Sequence, residues 1–238
     1  MGFRKSVLKF GAVFRRHIKV YSNFKIGLLQ SHLIRYKMST TSNSQNERML
    51  ALTFIPLAIA INVGIGAIVK ILNLPIYVDS IGTIIATLLL GWRSGAIVGV
   101  LGFVITSIFI NPFAIYFIGT QIIIALVIDF IAKRGWFSNT WKVVLSGIGL
   151  GITTAIASAP VIILVFQGAT GNGAALVTSF FVKIGNQIVN SVFLSGFSIE
   201  PIDKVIQCLL AFFILKSIPK NLLEKFNSIS LHKNKFIS

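Results

Sequence analysis

The chain has 238 residues, 55% of them hydrophobic and 12% charged, with a mean hydropathy of +0.86. A soluble domain carries about 25% charged residues, so this composition excludes an ordinary water-exposed fold and indicates an integral membrane protein. The net charge of +16 does not indicate nucleic acid: ten of the 22 Lys and Arg precede Met49 and six follow Pro201, flanking the apolar segments as topology signals do.

Residues 1–49 read as a basic and polar cytoplasmic arm. The first 37 hold no Asp or Glu, and "FRKSVLKFGAVFRRHIKV" mixes basic with apolar residues. That pattern fits a transit-like peptide, a membrane-surface helix or an upstream extension. "MSTTSNSQNERM", starting at Met38, resembles a natural N-terminus, so Met38 is an expected true start. No apolar core followed by a small-residue cleavage site is present, which excludes a secretory signal.

The membrane domain is expected over 50–219. Its first span, 50–72, is long enough to cross about 30 Å of hydrocarbon. Two shorter segments follow, 77–92 and 95–110, joined by "GWRSG"; they suit two short tilted helices or a hairpin that dips and returns. Residues 113–133, 141–166 and 201–219 complete six spans. The stretch 174–196 is also long enough to cross, yet it carries Lys183, Asn186, Gln187 and Asn190. Charge placement arbitrates. With six spans and the N-terminus inside, the inner segments are the arm, the Arg93 turn, "AKRGWFSNTWK" and a basic tail, 220–238. The outer segments are 73–77, 110–113 and 167–200, whose sole basic residue is Lys183. This obeys the positive-inside rule. The expected fold is therefore an all-α membrane protein with six transmembrane helices, both termini cytoplasmic, and an extra outer-side helical segment between spans 5 and 6.

The chemistry in the spans argues against an enzyme. Histidines occur only at 17, 32 and 232, outside every span, which removes a Ser–His protease, a His-rich metal site and a His proton relay. Cys208 is the one cysteine, so neither an internal disulfide nor a Cys-based metal site arises. Asp129 is deep in an apolar run, but Lys133 stands one turn later and suits a structural i,i+4 pair. No phosphate-binding "GxxxxGK[ST]" loop is present, so ATP hydrolysis would fall to partner subunits. No catalytic residue, metal or cofactor is expected.

What remains is helix packing and polar recognition. Gly91, Gly95 and Gly99 recur at i+4, as do Ala60 and Gly64, and Gly147 and Gly151. Such stripes let another helix approach closely, either within the chain or from a partner subunit. Uncharged polar residues and one carboxylate gather toward the expected outer half: Asp79 and Thr83 near the second span, Gln121 in the fourth, and Asn186, Gln187 and Asn190 in the outer segment. Polar groups at this depth either bond one another across helices or line a pocket for a small polar molecule. Asp79 is placed to cap the second helix.

"YVDSIGTIIATLLLGWRSGAIVGVLGFVIT" resembles a signature of the substrate-binding S components of energy-coupling-factor vitamin transporters. The matching residues are Asp79, Ser80, Ile81, Gly82, Thr83, Leu89, Leu90, Gly91, Gly95, Ala96, Val98 and Gly99. "IEPIDKVIQCLLAFFILKSIP" resembles the start of their last helix, through Pro201, Asp203, Lys204, Leu209, Leu210, Ala211 and Pro219. The resemblance spans roughly 50–219. It implies six helices with both termini cytoplasmic, in a multi-pass subunit of a bacterial plasma membrane. Such a subunit captures a vitamin or related micronutrient from outside and docks on a transmembrane coupling subunit carrying two ATPases. It implies docking through a small-residue stripe on the first helix, here Ala60 and Gly64. A multi-span sensor or regulatory module without transport is the competing expectation.

Overall fold

The computed structural model describes residues 49, 52–168, 170 and 173–219; the expectations for 1–48 and 220–238 lie outside the described residues. All described residues are helical or connecting, with no strand among them. The helices are α1 (Leu52–Ile71), α2 (Ile81–Leu90), α3 (Trp92–Phe109), α4 (Ile118–Lys133), α5 (Thr140–Leu164), α6 (Gly173–Lys183) and α7 (Ile188–Ser217). A 3₁₀ segment, Pro112–Phe117, leads into α4.

Four elements are long and apolar enough to cross a membrane: α1, α3, the continuous Pro112–Lys133 stretch and α5. Large apolar side chains lie exposed around the bundle, among them Ile71, Phe109, Phe130 and Leu164. Contiguous apolar surface of this kind suits hydrocarbon and not water. The protein is membrane-embedded. Its three tryptophans, Trp92, Trp136 and Trp141, are all exposed beside Arg93, Arg134 and Lys142, as amphipathic rings are at a membrane–water boundary.

The segment expected as a span over 77–92 is divided. Residues 76–80 carry no helix, and α2 is only ten residues, about 15 Å long. Nine of its ten residues are buried. A helix apolar all round belongs in the middle of a bundle, and α2 packs against α3, α4 and α7. One residue, Gly91, separates α2 from α3. Its φ of 87° is a conformation that only glycine adopts without penalty, and it folds α3 back along α2. A Cβ on Gly95 would collide with Thr87 Oγ1, and one on Gly99 would stand 2.7 Å from Gln121 Cβ. These two glycines set the close approach of α3 to α2 and α4.

The boundaries of the C-terminal part also differ from those expected. Residues 174–196 do not form one segment. They break at Gly185 (φ 97°), giving the short α6 and the first turns of α7. The segment expected at 201–219 is the second half of α7, a 30-residue helix running through Pro201. Sequence patterning places a helix start at that proline because a helix interior disfavours it. Here the ring lies against Gly151 of α5, whose missing side chain leaves the room: a Cβ on Gly151 would collide with the Pro201 backbone. Gly147 meets Val205 in the same way, and α5 with α7 forms the most extensive helix pair. The stripe at Ala60 and Gly64 is different. Both residues are exposed, and a Cβ on Gly64 would meet nothing within 4 Å among the described residues.

Candidate ligand cavity

Glu200, Asp203, Lys204 and Gln207 recur at three- and four-residue spacing, so they share one face of α7. All four are buried. Asp203 fixes the connection between α1 and α2. Its Oδ1 accepts the backbone N–H groups of Tyr77 (3.0 Å) and Val78 (2.9 Å), and its Oδ2 accepts Lys204 Nζ (2.6 Å) and Gln207 Nε2 (2.7 Å). Gln207 Oε1 accepts the Ser80 N–H (2.9 Å). Val78 has φ 48°, a left-handed conformation that costs a β-branched residue on the order of 1–3 kcal/mol, held here by the Asp203 contact.

The same network continues into α1, α4 and α5. Asn62 Oδ1 accepts the Gly82 N–H (2.6 Å), and its amide donates to Thr83 Oγ1 (2.9 Å). The Thr83 hydroxyl donates to Gln121 Oε1 (2.9 Å), Gln121 Nε2 donates to Ser80 Oγ (2.8 Å), and the Ser80 hydroxyl donates to Asp79 Oδ1 (2.9 Å). On the α7 side, Glu200 Oε2 accepts the Thr154 hydroxyl (2.8 Å) and pairs with Lys204 Nζ at 3.4 Å. Asp79 does not cap α2. The cap position belongs to Ser80, whose hydroxyl makes no bond to the helix's own N–H groups, and the first free N–H groups of the helix are met from α1 and α7.

This network borders a cavity of about 130 Å³. It lies at the end of the bundle formed by the connections 72–80 and 110–117, opposite the Gly91 and 134–139 turns. Tyr77, Phe103, Phe113 and Phe117 supply aromatic wall, and Lys70, Asp79, Glu200 and Lys204 supply charge. Lys204 also stands 5.8 Å from the Tyr77 ring centre, and Lys70 Nζ donates to the Ile110 carbonyl (2.8 Å) at the C-terminal end of α3. Phe166, from the turn after α5, packs edge-on to Phe113 and Tyr116 and stacks on Phe117.

Of the residues singled out from sequence, Asp79 and Gln121 line the cavity, and Thr83 lies behind it, bonded to Gln121 and Asn62. Asn186, Gln187 and Asn190 do not line it. Gln187 and Asn190 are exposed at the α6–α7 junction, and Asn186 donates its amide to the Phe181 carbonyl (3.2 Å). The physical reason is the break at Gly185, which turns this stretch into a hairpin corner. Asn62, Glu200 and Lys204 were not singled out, although all three line the cavity. Asn62 is the lone amide in the first apolar run, and the α7 charges share a face; both signals are present in the sequence. Asp129 and Lys133 form the expected i,i+4 ion pair at 2.7 Å, away from the cavity.

A partly open cavity lined by aromatic rings, amides and carboxylates can bind and orient a small molecule. In comparisons with known proteins, the chain matches no family model, no curated protein and no solved structure.

Proposed function

We propose that this chain is the substrate-capture subunit of an ATP-driven micronutrient uptake transporter in a bacterial plasma membrane. In this reading it takes a small polar vitamin or precursor from outside and passes it on after docking to a coupling subunit with two ATPases. The observation that carries the reading is the cavity: polar and charged side chains line a partly open space inside an otherwise apolar bundle, at the end remote from the exposed tryptophans and Arg93. Polar groups at membrane depth are costly and mark a substrate path. Asp79, Gln121, Glu200 and Lys204 are the proposed ligand-binding residues, with Asn62 and Thr83 holding Gln121 in place.

The six-span arrangement with cytoplasmic termini belongs to the same proposal. The ten-residue α2, about 15 Å long, is half the thickness of the hydrocarbon, and the non-helical residues 76–80 lead into it. Non-helical backbone at that depth needs partners from the protein, and Asp203 and Gln207 supply them. Ala60 and Gly64, exposed on α1 with nothing over Gly64, are the proposed docking stripe.

The test is affinity purification of the tagged full chain from its native membrane. The expected result is a coupling membrane protein and a pair of ATPases in the eluate, lost in Ala60→Trp and Gly64→Trp. Recovery of the chain without ATPases, or with a signalling protein, overturns the reading in favour of a stand-alone or sensory membrane module.

A further inference from the structure

We infer that the cavity is built for a cationic ligand of about one aromatic ring in size, its protonated nitrogen set between Asp79 and Glu200. The inference rests on the capture reading and adds to it the chemical class of the ligand. Charge is the first argument. Three carboxylates, Asp79, Glu200 and Asp203, stand in and beside the cavity against two ammonium groups, Lys70 and Lys204. With all three carboxylates ionised, one negative charge is in excess, in a setting where an uncompensated charge is costly.

The partners show where the excess falls. Asp203 is fully engaged, by two backbone N–H groups, Lys204 and Gln207. Lys204 is held by Asp203 and Glu200, and Lys70 donates to the Ile110 carbonyl. Asp79 forms no ion pair among the described residues; its carboxylate accepts the Ser80 hydroxyl at Oδ1 and the residue's own backbone N–H. Glu200 is buried, and both of its side-chain contacts are made through Oε2. Glu200 thus keeps Oε1 open to a ligand donor, and Asp79 lines the same cavity without an ion pair. The walls agree with a cation: the faces of Tyr77, Phe103, Phe113 and Phe117 carry the negative potential that attracts one. Size is the last argument. An apolar cavity of about 150 Å³ holds one benzene, so about 130 Å³ admits a single ring with a short substituent.

The test compares three probes of equal size on the purified full chain in lipid nanodiscs, by calorimetry at neutral pH: benzylamine as the cation, benzyl alcohol as the neutral form and benzoate as the anion. The expected order is cation, alcohol, anion, with the cation at least about tenfold tighter than the alcohol, the margin of a charge-assisted hydrogen bond. Asp79→Asn and Glu200→Gln are expected to reduce that preference severalfold. The order for the unmodified chain stands as a test even where a variant fails to fold. Equal affinity for cation and alcohol, preference for benzoate, or no binding of benzylamine overturns the cationic class. The capture reading is judged apart from it, by the ATPases in the native-membrane eluate.

Discussion

Two groups of polar side chains sit in this apolar chain, and they have opposite fates. Asn62, Ser80, Thr83, Gln121, Asp203 and Gln207 are buried and bonded to one another across four helices and one connection. Asn186, Gln187 and Asn190 stand together in sequence, yet they mark an α6–α7 corner where Gln187 and Asn190 are exposed. Local density of amides in the sequence is thus a poor guide to a polar interior. The buried group draws residues from distant stretches of the chain, Asn62 among them standing alone between Ile61 and Val63. The lesson is energetic: a lone amide deep in a span must find a partner across helices, whereas a cluster in a turn is satisfied locally or by solvent.

The contrast breaks most severely at Asp203. Asp203→Ala removes the acceptor of two backbone N–H groups and leaves Lys204 with a single, longer ion pair, so a loss of about 3–5 kcal/mol is expected. Chemical denaturation in mild detergent measures it. A parental midpoint would mean that the connection 76–80 is held by other contacts.

Crowding the helix contact beneath the buried group comes next. Gly99→Leu is expected to cost up to about 3 kcal/mol, because even a Cβ would press on Gln121. Gly64→Leu, on the uncovered face of α1, is expected to leave the isolated protein as stable as the parent. The pair of melting temperatures in one detergent decides the matter, and equal losses would place both glycines in packed interfaces.

Deleting one amide sharpens the comparison further. Asn62→Ala strands the Gly82 N–H and a Thr83 acceptor inside the bundle, at about 1–3 kcal/mol. Asn190→Ala, at the exposed corner, is expected to stay within about 0.5 kcal/mol. Its ligand affinity is also expected to be unchanged. Loss of affinity in Asn190→Ala without loss of stability would return the corner residues to the binding site.

The membrane character and three of the four long apolar helices were legible in composition and span length, while 95–110 read short and is the 18-residue α3; the Asp129–Lys133 pair was legible because its spacing is local. Gly95 and Gly99 were legible as a contact stripe because i+4 spacing holds within one helix. The partners of that stripe were not: periodicity says that a face is small, not what covers it, and Gly147–Gly151 is covered where Gly64 is bare. The α7 face was misassigned because Pro201 reads as a helix start. That reading moves Glu200, Asp203 and Lys204 to an aqueous edge. In the structure Pro201 fits against Gly151, the helix runs on through it, and Glu200 and Lys204 reach the cavity. Asp79 read as a cap for a similar reason: capping is a local rule, and here residues from α1 and α7 take that role.

The central claim is that the cavity opens to the side of the membrane opposite the basic end. Native Cys208 is buried, so single introduced thiols can be followed in intact cells. Thr106→Cys places a thiol in the cavity wall, and Ser138→Cys places one in the turn beside Arg134 and Trp136. With a membrane-impermeant thiol reagent, the account expects position 106 to react in intact cells and position 138 to react only after the membrane is opened. Labelling of position 138 in intact cells, with position 106 silent until lysis, would contradict it.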